Sequence, residues 1–181
     1  MPAKIVWGIT GAGDLISEIF EVIEDVSKME GLEINAVLSK AAVTVLRWYK
    51  LQDKLDKIAK KVFVEKDANT PFVVGPLQVG QYDGLLVAPV TANSVAKIVS
   101  GIADTLITNA VSQTNKTNMD IYVLPVDQKK GTTTTILPGN EKLELTIRDI
   151  DVDNTNRLKK MKGIIVLEKP QEIKKVVAGY L

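Results

Sequence analysis

The chain has 181 residues, of which 45% are hydrophobic and 25% are charged, with a formal net charge of +1 and neither cysteine nor histidine. This length suits one domain with a sizeable core, and the balanced charge gives no reason to expect a nucleic acid or an anionic membrane as a partner. The missing cysteines exclude disulfides, zinc–thiolate sites and cysteine-ligated iron–sulfur clusters, and because no secretory leader and no apolar run of about 18 residues is seen, we expect a cytoplasmic protein.

The first half of the chain alternates apolar runs with amphipathic stretches. The run Ile5–Thr10 is typical of a strand buried on both faces, and apolar residues spaced by three and four from Leu15 to Val26 predict a helix that ends near Gly31. The elements predicted next are a strand over Leu32–Leu38, a helix from Ala41 to about Ala59, a strand over Lys61–Glu65, and a loop or short irregular helix over Asp67–Gly80.

The second half continues the alternation. Its predicted elements are a strand over Leu85–Ala88, helices over Ala92–Ser100 and Ala103 to about Ser112, a strand over Ile121–Leu124, a long exposed loop over Lys129–Asn140, a strand over Leu143–Ile147, a helix over Val152–Met161, a strand over Ile164–Leu167 and a helix over Pro170–Val177. Alternating strands and helices with buried strands predict a single α/β domain over residues 1–181. We expect a doubly wound parallel sheet in a three-layer, Rossmann-like or flavodoxin-like sandwich.

A glycine-rich turn, Gly11-Ala12-Gly13, follows the first predicted strand directly after Thr10. Glycines let a phosphate approach the backbone, and the free N–H groups of the next helix add donors. The spacing is neither a dinucleotide fingerprint nor a Walker loop, so these glycines are equally compatible with a plain tight turn. Alone, the turn leaves both interpretations open.

Two further turns follow the second and fourth predicted strands, Ser39-Lys40-Ala41 and Pro89-Val90-Thr91-Ala92-Asn93-Ser94. In a doubly wound sheet these strand ends face one crevice with the glycine turn. Ser39 and Asn93 can each act simply as the N-cap of the following helix. Trp48 and Tyr49, on the predicted second helix, can wall a pocket, although packing in a core or against another subunit is the commoner role of such residues.

Taken together, these motifs resemble the FMN-binding flavoprotein superfamily. The group includes the phosphopantothenoylcysteine and lantibiotic cysteine decarboxylases and the flavin prenyltransferases. The resemblance spans about the first two-thirds of the chain, and Pro89, Ala92 and Asn93 match the decarboxylases' Pro-Ala-Ser-Ala-Asn-Thr flavin motif. It rests on Gly8-Ile9-Thr10-Gly11-Ala12, Ser39-Lys40-Ala41-Ala42, Ala88 to Ser94, and Lys97-Ile98 with Gly101-Ile102-Ala103-Asp104.

The chain lacks residues that mark two branches of the superfamily and is more similar to a third. The decarboxylases carry a catalytic histidine about where Gly75 lies, and the prenyltransferases carry an Arg-Glu pair where this chain reads Val126-Asp127-Gln128. The chain looks most like the archaeoflavoproteins and dihydromethanopterin reductases, on Trp7 to Gly13, Leu124 to Gln128 and Arg148 to Val152. Because it has no cysteine, it resembles the FMN-only members of that group.

The resemblance implies FMN as cofactor, a redox reaction and a set of binding residues. Electrons would come from a ferredoxin-like or nicotinamide donor and pass to an acceptor, with dihydromethanopterin as one candidate. It also implies a homo-oligomer, a trimer or a multiple of three, with FMN at subunit interfaces. In such an assembly the Thr132–Gly139 segment could cover a neighbour's flavin, and a plain mobile loop is at least as good an interpretation. Thr10 to Gly13 and Ser39 to Ala41 would hold the phosphate and ribityl chain, Val90 to Asn93 the isoalloxazine ring, and Ser112 and Gln113 either ring or ribityl.

Two other functions remain open from the sequence. The first is a flavin prenyltransferase-type transferase that uses reduced FMN as a substrate. The second is a nucleotide-binding or scaffold protein whose glycine turn holds another phosphate.

Overall fold

A six-stranded parallel sheet runs through the protein, which is described here from a computed structural model that covers all residues 1–181. The strands lie side by side in the order β3-β2-β1-β4-β5-β8. A separate pair, β6 and β7, forms an antiparallel hairpin. The bounds are β1 Ala3–Ile9, β2 Leu32–Leu38, β3 Lys61–Val64, β4 Gly84–Val90, β5 Ile121–Pro125, β6 Gly131–Ile136, β7 Lys142–Ile147 and β8 Ile164–Val166.

Helices cover both faces of the sheet. The helices are α1 Ile16–Ser27, α2 Lys40–Trp48, α3 Gln52–Ile58, α4 Val74–Gln78, α5 Ala92–Val99, α6 Leu106–Thr114, α7 Asp149–Leu158 and α8 Ile173–Ala178, the last preceded by a 3₁₀ turn over Pro170–Glu172. Helices α1, α2, α3 and α8 share one buried apolar cluster with the sheet, and α4, α5, α6 and α7 share the other. The predicted three-layer, doubly wound α/β fold is confirmed.

No helix is both long and apolar enough to cross a membrane.

The central strand β1 shows why the apolar runs predicted buried strands. Ile5, Trp7 and Ile9 point to one cluster and Val6 points to the other, as the alternation of side chains along a strand requires. Trp7 is fully buried, packs at 4.9 Å between ring centroids against Phe20, and donates its indole N–H to the Ala88 carbonyl at 2.7 Å. Trp7 is therefore a core residue.

The single helix predicted from Ala41 to Ala59 is wrong, because the chain breaks into α2 and α3 at Lys50. Lys50 has a left-handed φ of 55°. The Leu51 N–H bonds the Leu46 carbonyl at 2.9 Å and the Lys50 N–H bonds the Arg47 carbonyl at 3.2 Å, which is the Schellman pattern of a helix end. Glycine usually fills the left-handed position, so the lysine hid the break.

The loop predicted over Lys129–Asn140 is also wrong, since half of it forms β6. The strand predicted over Leu143–Ile147 exists as β7, but it pairs antiparallel with β6 outside the main sheet. Threonine is β-branched and favours strands, and the turn between the strands uses Gly139 and Asn140 at φ 97° and 67°. The run of threonines thus indicated strand where we had expected loop.

Candidate functional site

A cleft of about 310 Å³ opens at the carboxyl ends of β1 and β4, where the strand order reverses. This is where doubly wound sheets bind ligands. The lining is mostly apolar, and no lysine or arginine contributes to it. The lining comes from the β1–α1 turn (Gly11, Ala12, Gly13, Asp14), from α2 and its C-cap (Val45, Trp48, Tyr49), from the start of α5 (Thr91, Ala92), from the segment after β5 (Val126, Asp127), and from the hairpin (Thr133, Thr135, Leu137, Pro138, Leu143, Leu145).

Thr10 joins the ends of β1 and β4 beneath the cleft. Its hydroxyl donates to the Pro89 carbonyl at 2.8 Å and accepts from the Thr91 N–H at 2.9 Å. The side chain is buried, with 2% exposed. The single hydroxyl proton is therefore used within the protein, and Thr10 positions the two turns instead of presenting a donor to the cleft.

Helices α2 and α5 both begin at this edge with a hydroxyl N-cap. Ser39 accepts from the Ala42 N–H at 3.1 Å, and Thr91 accepts from the Ser94 N–H at 3.2 Å. Asn93 was considered as the cap of α5, and that is wrong, because Thr91 is the cap and Asn93 lies exposed in the first helical turn. The Asn93 side chain makes no hydrogen bond within the protein, and it lies outside the residues that line the cleft. It is available to a ligand.

A set of backbone N–H groups at this edge has no acceptor in the protein. The backbone N–H groups of Gly11, Ala12 and Gly13, in the β1–α1 turn, donate to no carbonyl of the protein. The first N–H groups of a helix likewise have no partner within the helix. Such groups carry partial positive charge and favour an anion. We call this set the amide rim: the N–H groups of Gly11, Ala12, Gly13, Lys40, Ala41, Ala92 and Asn93.

At both glycines of the turn, Gly11 and Gly13, a side chain would clash with a neighbouring residue. A Cβ at Gly11 would lie 2.5 Å from the Cβ of Ala41, and a Cβ at Gly13 would lie 2.8 Å from the Tyr49 hydroxyl. Neither glycine has a positive φ. They are therefore required by the close approach of the turn to α2 and its C-cap.

Two carboxylates also line the cleft, and sequence reasoning missed both. Burial raises the pKa of Asp14, against hydrogen bonds from the Leu15 N–H and the Thr133 hydroxyl that lower it. Burial raises the pKa of Asp127 too, and repulsion from Asp151 and Asp14 adds to this while Arg148 opposes it. We call Asp14 and Asp127 the carboxylate wall. Only their position after the first and fifth strands could have indicated them.

The β6–β7 hairpin closes one side of the cleft. Thr133, Thr135, Leu143 and Leu145 lie on one face of it, as the pairing of Thr133 with Leu145 and of Thr135 with Leu143 shows. The Tyr49 hydroxyl donates to the Ile136 carbonyl at 2.9 Å, and the Thr133 hydroxyl donates to Asp14 at 3.5 Å. Trp48, 62% exposed, stands at the mouth. Trp48 and Tyr49 thus wall a pocket, the less common of the two roles considered.

The structure places the remaining predicted site residues as follows. Ser39, Lys40 and Ala41 lie at the same sheet edge but outside the cleft lining, and Val90 is fully buried beneath it. Ser112 and Gln113 lie near the end of α6, away from the cleft, where Gln113 accepts from the Gln78 side chain at 3.2 Å. The site therefore brings together the residues from the three strand ends but not those from α6.

Gly75, about where the resemblance places the decarboxylases' histidine, lies beside the exposed Phe72 ring. A Cβ at Gly75 would overlap the Phe72 ring. Phe72 thus occupies the space that a larger side chain at this position would need.

Comparison with known proteins agrees with the fold. The chain is 51% identical to an uncharacterized protein of Methanocaldococcus jannaschii, over 98% of this chain and 96% of that one. It is 30% identical to the dihydromethanopterin reductase (acceptor) of the same organism, over 94% of each chain. That alignment runs over 230 positions, more than the 181 residues present here, so the reductase carries segments that this chain lacks.

A solved structure is similar over almost the whole chain. Burkholderia xenovorans DmrB in complex with FMN, described as a cubic protein cage for redox transfer, superposes with a TM-score of 0.82 at 32% identity, covering 98% of this chain and 94% of that one. The sequence profile of the Flavoprotein family matches residues 1–179. These findings confirm the resemblance seen in the sequence, and the chain belongs to the Flavoprotein family.

Proposed function

We propose that this protein is an FMN-dependent redox protein that takes electrons from a ferredoxin-like or nicotinamide donor and passes them to an acceptor, with a dihydropterin such as dihydromethanopterin as the substrate class. The observation that carries the proposal is the amide rim at the mouth of an apolar cleft. The named reductase relative and the FMN complex of DmrB support the same assignment.

The rim fits the phosphate end of FMN. Seven N–H groups without backbone acceptors lie at three strand ends on one edge of the sheet, the Ser39 hydroxyl still has a proton to donate, and Lys40 is exposed beside them. These are the donors that a phosphate needs. The two carboxylates keep a dianion out of the cleft interior, so we place the phosphate on the side of Ser39, Lys40 and Ala41.

The cleft fits the ring end. Its walls are apolar and aromatic, and Ala92 and Gly13 keep side chains away from the backbone on that side. When bound, FMN supplies hydride or electron transfer. The task of this chain is to orient the ring, to exclude water with the hairpin, and to offer N–H groups such as those of Ala92 and Asn93 to the negative charge that reduction brings.

The same cleft argues against prenyl transfer. A prenyl phosphate or diphosphate needs cationic side chains, and the lining contains two carboxylates and no cation. Val126 and Asp127 also stand where the prenyltransferases have their Arg-Glu pair. We therefore rank the redox function above the transferase.

We further propose a homo-oligomer, a trimer or a multiple of three, with FMN at subunit interfaces. Exposed large apolar side chains support it, namely Trp48 (62% exposed) and Ile136 (48%) beside the cleft and Phe72 (74%) elsewhere on the surface, because a monomer seldom leaves such groups open to water. The cage of DmrB supports it as well. In such an assembly Ser112 and Gln113 would contact the FMN of a neighbouring subunit, since they lie outside the cleft of their own.

The test is the visible absorbance spectrum of the purified protein, before and after dithionite and after addition of FMN. We expect flavin bands that bleach on reduction. A protein that stays colourless and takes up no FMN would refute the proposal. Once FMN is bound, oxidation of the reduced protein by a dihydropterin under anaerobic conditions tests the acceptor.

A further inference from the structure

The charged residues that line the cleft are all acidic. Asp14 and Asp127 are the charged residues of its lining, and the other lining residues are apolar, aromatic, glycine or threonine. Asp14 already accepts hydrogen bonds from the Leu15 N–H at 3.1 Å and from Thr133. Asp127 is the carboxylate that remains open to a ligand.

The backbone around Asp127 is held while its carboxylate is free. The Thr155 hydroxyl donates to the Asp127 carbonyl at 3.1 Å, and the Gln128 amide donates to the Pro125 and Leu167 carbonyls at 2.9 Å each. No hydrogen bond or ion pair within the protein uses the Asp127 carboxylate. A group held this way by its surroundings is positioned to bind.

The nearest cation is already engaged. Arg148 makes two hydrogen bonds to Asp151, at 2.8 and 2.7 Å. Asp127 is half-buried among apolar groups, and a partly buried charge without a partner is unfavourable. A ligand that brings N–H donors to Asp127 removes this penalty.

The walls define the rest of the ligand. Trp48 and Tyr49 line the cleft from α2 and its C-cap, and Leu143 and Leu145 line it from the hairpin. With the isoalloxazine ring on the side of Gly13 and Ala92, the hairpin side of the cleft is left for a second flat, uncharged ring stacked on the flavin. A carboxylate has two acceptor oxygens and pairs best with two adjacent donors in one plane. The 2-amino-4-oxopyrimidine edge of a pterin, with its exocyclic amine beside a ring N–H, has this arrangement.

We propose that Asp127 is the specificity-determining residue of the cleft and binds the 2-amino-4-oxopyrimidine edge of a pterin substrate through paired N–H donors. The proposal rests on the proposed redox function and adds the residue that chooses the substrate. It requires the Asp127 carboxylate, the apolar walls and the absence of a cation, all within one cleft.

The test compares two ring systems of almost equal size on the protein loaded with oxidised FMN, without an electron donor, by isothermal titration calorimetry near neutral pH. Pterin carries the 2-amino group, and lumazine carries an oxo group in its place. We expect the wild-type protein to bind pterin about tenfold more tightly than lumazine or better, and Asp127→Asn to bind the two within about twofold. Asp153→Asn removes one exposed carboxylate from α7 and keeps the preference.

Equal binding of pterin and lumazine by the wild type, no binding of either, or an unchanged preference in Asp127→Asn would each overturn the proposal. Since Asp127 has no internal partner, the asparagine variant should fold, and circular dichroism checks this. If the protein takes up no FMN, the redox function fails, and the same titrations on the cofactor-free protein still decide the role of Asp127.

Discussion

The amide rim and the carboxylate wall meet in the turn after β1, yet they favour opposite ligands. The rim offers seven N–H groups without acceptors and carries no negative charge of its own. The wall offers two carboxylates, and no cation lines the cleft beside them. The turn after β1 contributes to both, through Gly11 to Gly13 and then through Asp14.

The rim and the wall therefore suit the two ends of one ligand, an anionic group at one end and a flat ring at the other. An anionic group binds at the helix N-termini, and a flat ring with N–H donors binds inside. A cleft with donors throughout would admit any phosphate, and one with carboxylates throughout would repel the cofactor. The predictions below change one side of this division at a time.

The largest effect is expected at Gly11. Valine there places a Cβ 2.5 Å from the Cβ of Ala41, which must push the rim apart, so FMN affinity should fall about 100-fold, or about 2.7 kcal/mol. Fluorescence titration of FMN measures it. Gly11→Ala should be milder and partly rescued by Ala41→Gly, which restores the space. Affinity within a few-fold of the wild type in Gly11→Val would show that the rim does not hold FMN.

Removing the Thr10 hydroxyl removes the two hydrogen bonds that join the ends of β1 and β4 beneath the amide rim. Thr10→Val keeps the shape but leaves the Thr91 N–H without its acceptor and the Pro89 carbonyl with only the Thr10 N–H, so the free energy of unfolding should fall by about 1–3 kcal/mol. Urea denaturation measures this. Thr10→Ser retains the hydroxyl and should stay near the wild type. A loss in Thr10→Ser as large as that in Thr10→Val would show that the effect is not specific to the hydroxyl.

A smaller effect is expected from the exposed side chain of the rim. Asn93 makes no hydrogen bond within the protein, so Asn93→Leu should leave the free energy of unfolding nearly unchanged. It should weaken FMN binding by about 1 kcal/mol, the contribution of one hydrogen bond. Parallel measurement of both quantities separates a ligand contact from a structural role, because a structural role would lower both.

The smallest effect is on the free energy of unfolding, comes from Asp127 of the carboxylate wall, and depends on pH. The raised pKa of Asp127 means that the folded protein holds this proton more tightly than the unfolded chain, so stability falls as pH rises from the unfolded pKa, about 3.9, through the folded pKa. Asp127→Asn should therefore be more stable than the wild type at neutral pH, by less than about 1 kcal/mol after solvent screening. The difference should vanish in acid, where both forms are uncharged.

Asp151 provides the matched control with the opposite sign. Its pKa is lowered by Arg148, so its ion pair stabilises the fold above the unfolded pKa and is lost as pH falls. Asp151→Asn should be less stable than the wild type at neutral pH. Urea denaturation across the pH range should give curves that diverge in opposite directions for the two variants, and curves of the same sign would contradict the charges assigned to the wall.

The layers of the fold could be predicted because the pattern of apolar residues along the chain follows from which faces of each element are buried. The apolar runs of β1 and β4 and the periodic positions of α1 follow from which faces are buried, and these predictions held. The break at Lys50 and the β6–β7 hairpin did not follow, because each depends on a local geometry that its residues permit without demanding it. Lysine adopts the left-handed conformation rarely, and the four consecutive threonines show no alternation of apolar and polar residues, the usual signal of a half-buried strand.

The site was predictable as far as it is local. Gly11 to Gly13, Thr91 and Ala92 follow strands directly, and they line the cleft. The carboxylate wall was not predictable, because Asp14 and Asp127 are 113 residues apart and acquire a role only when β1 and β5 bring them to the same cleft. Thr10 was assigned a ligand contact because the partner of its hydroxyl, Pro89, lies 79 residues away.

The hairpin has a consequence for how long a bound ligand stays. Among its twelve residues only Thr135 is buried, and the side-chain hydrogen bonds that tie it to the rest of the protein come from Tyr49 and Thr133. A two-stranded unit with so little buried surface opens at a small fraction of the global unfolding free energy. Its amide hydrogens should exchange with solvent well before those of β1 and β4. The frequency of that opening, more than the strength of any contact inside the cleft, would then set the rate at which a ligand leaves.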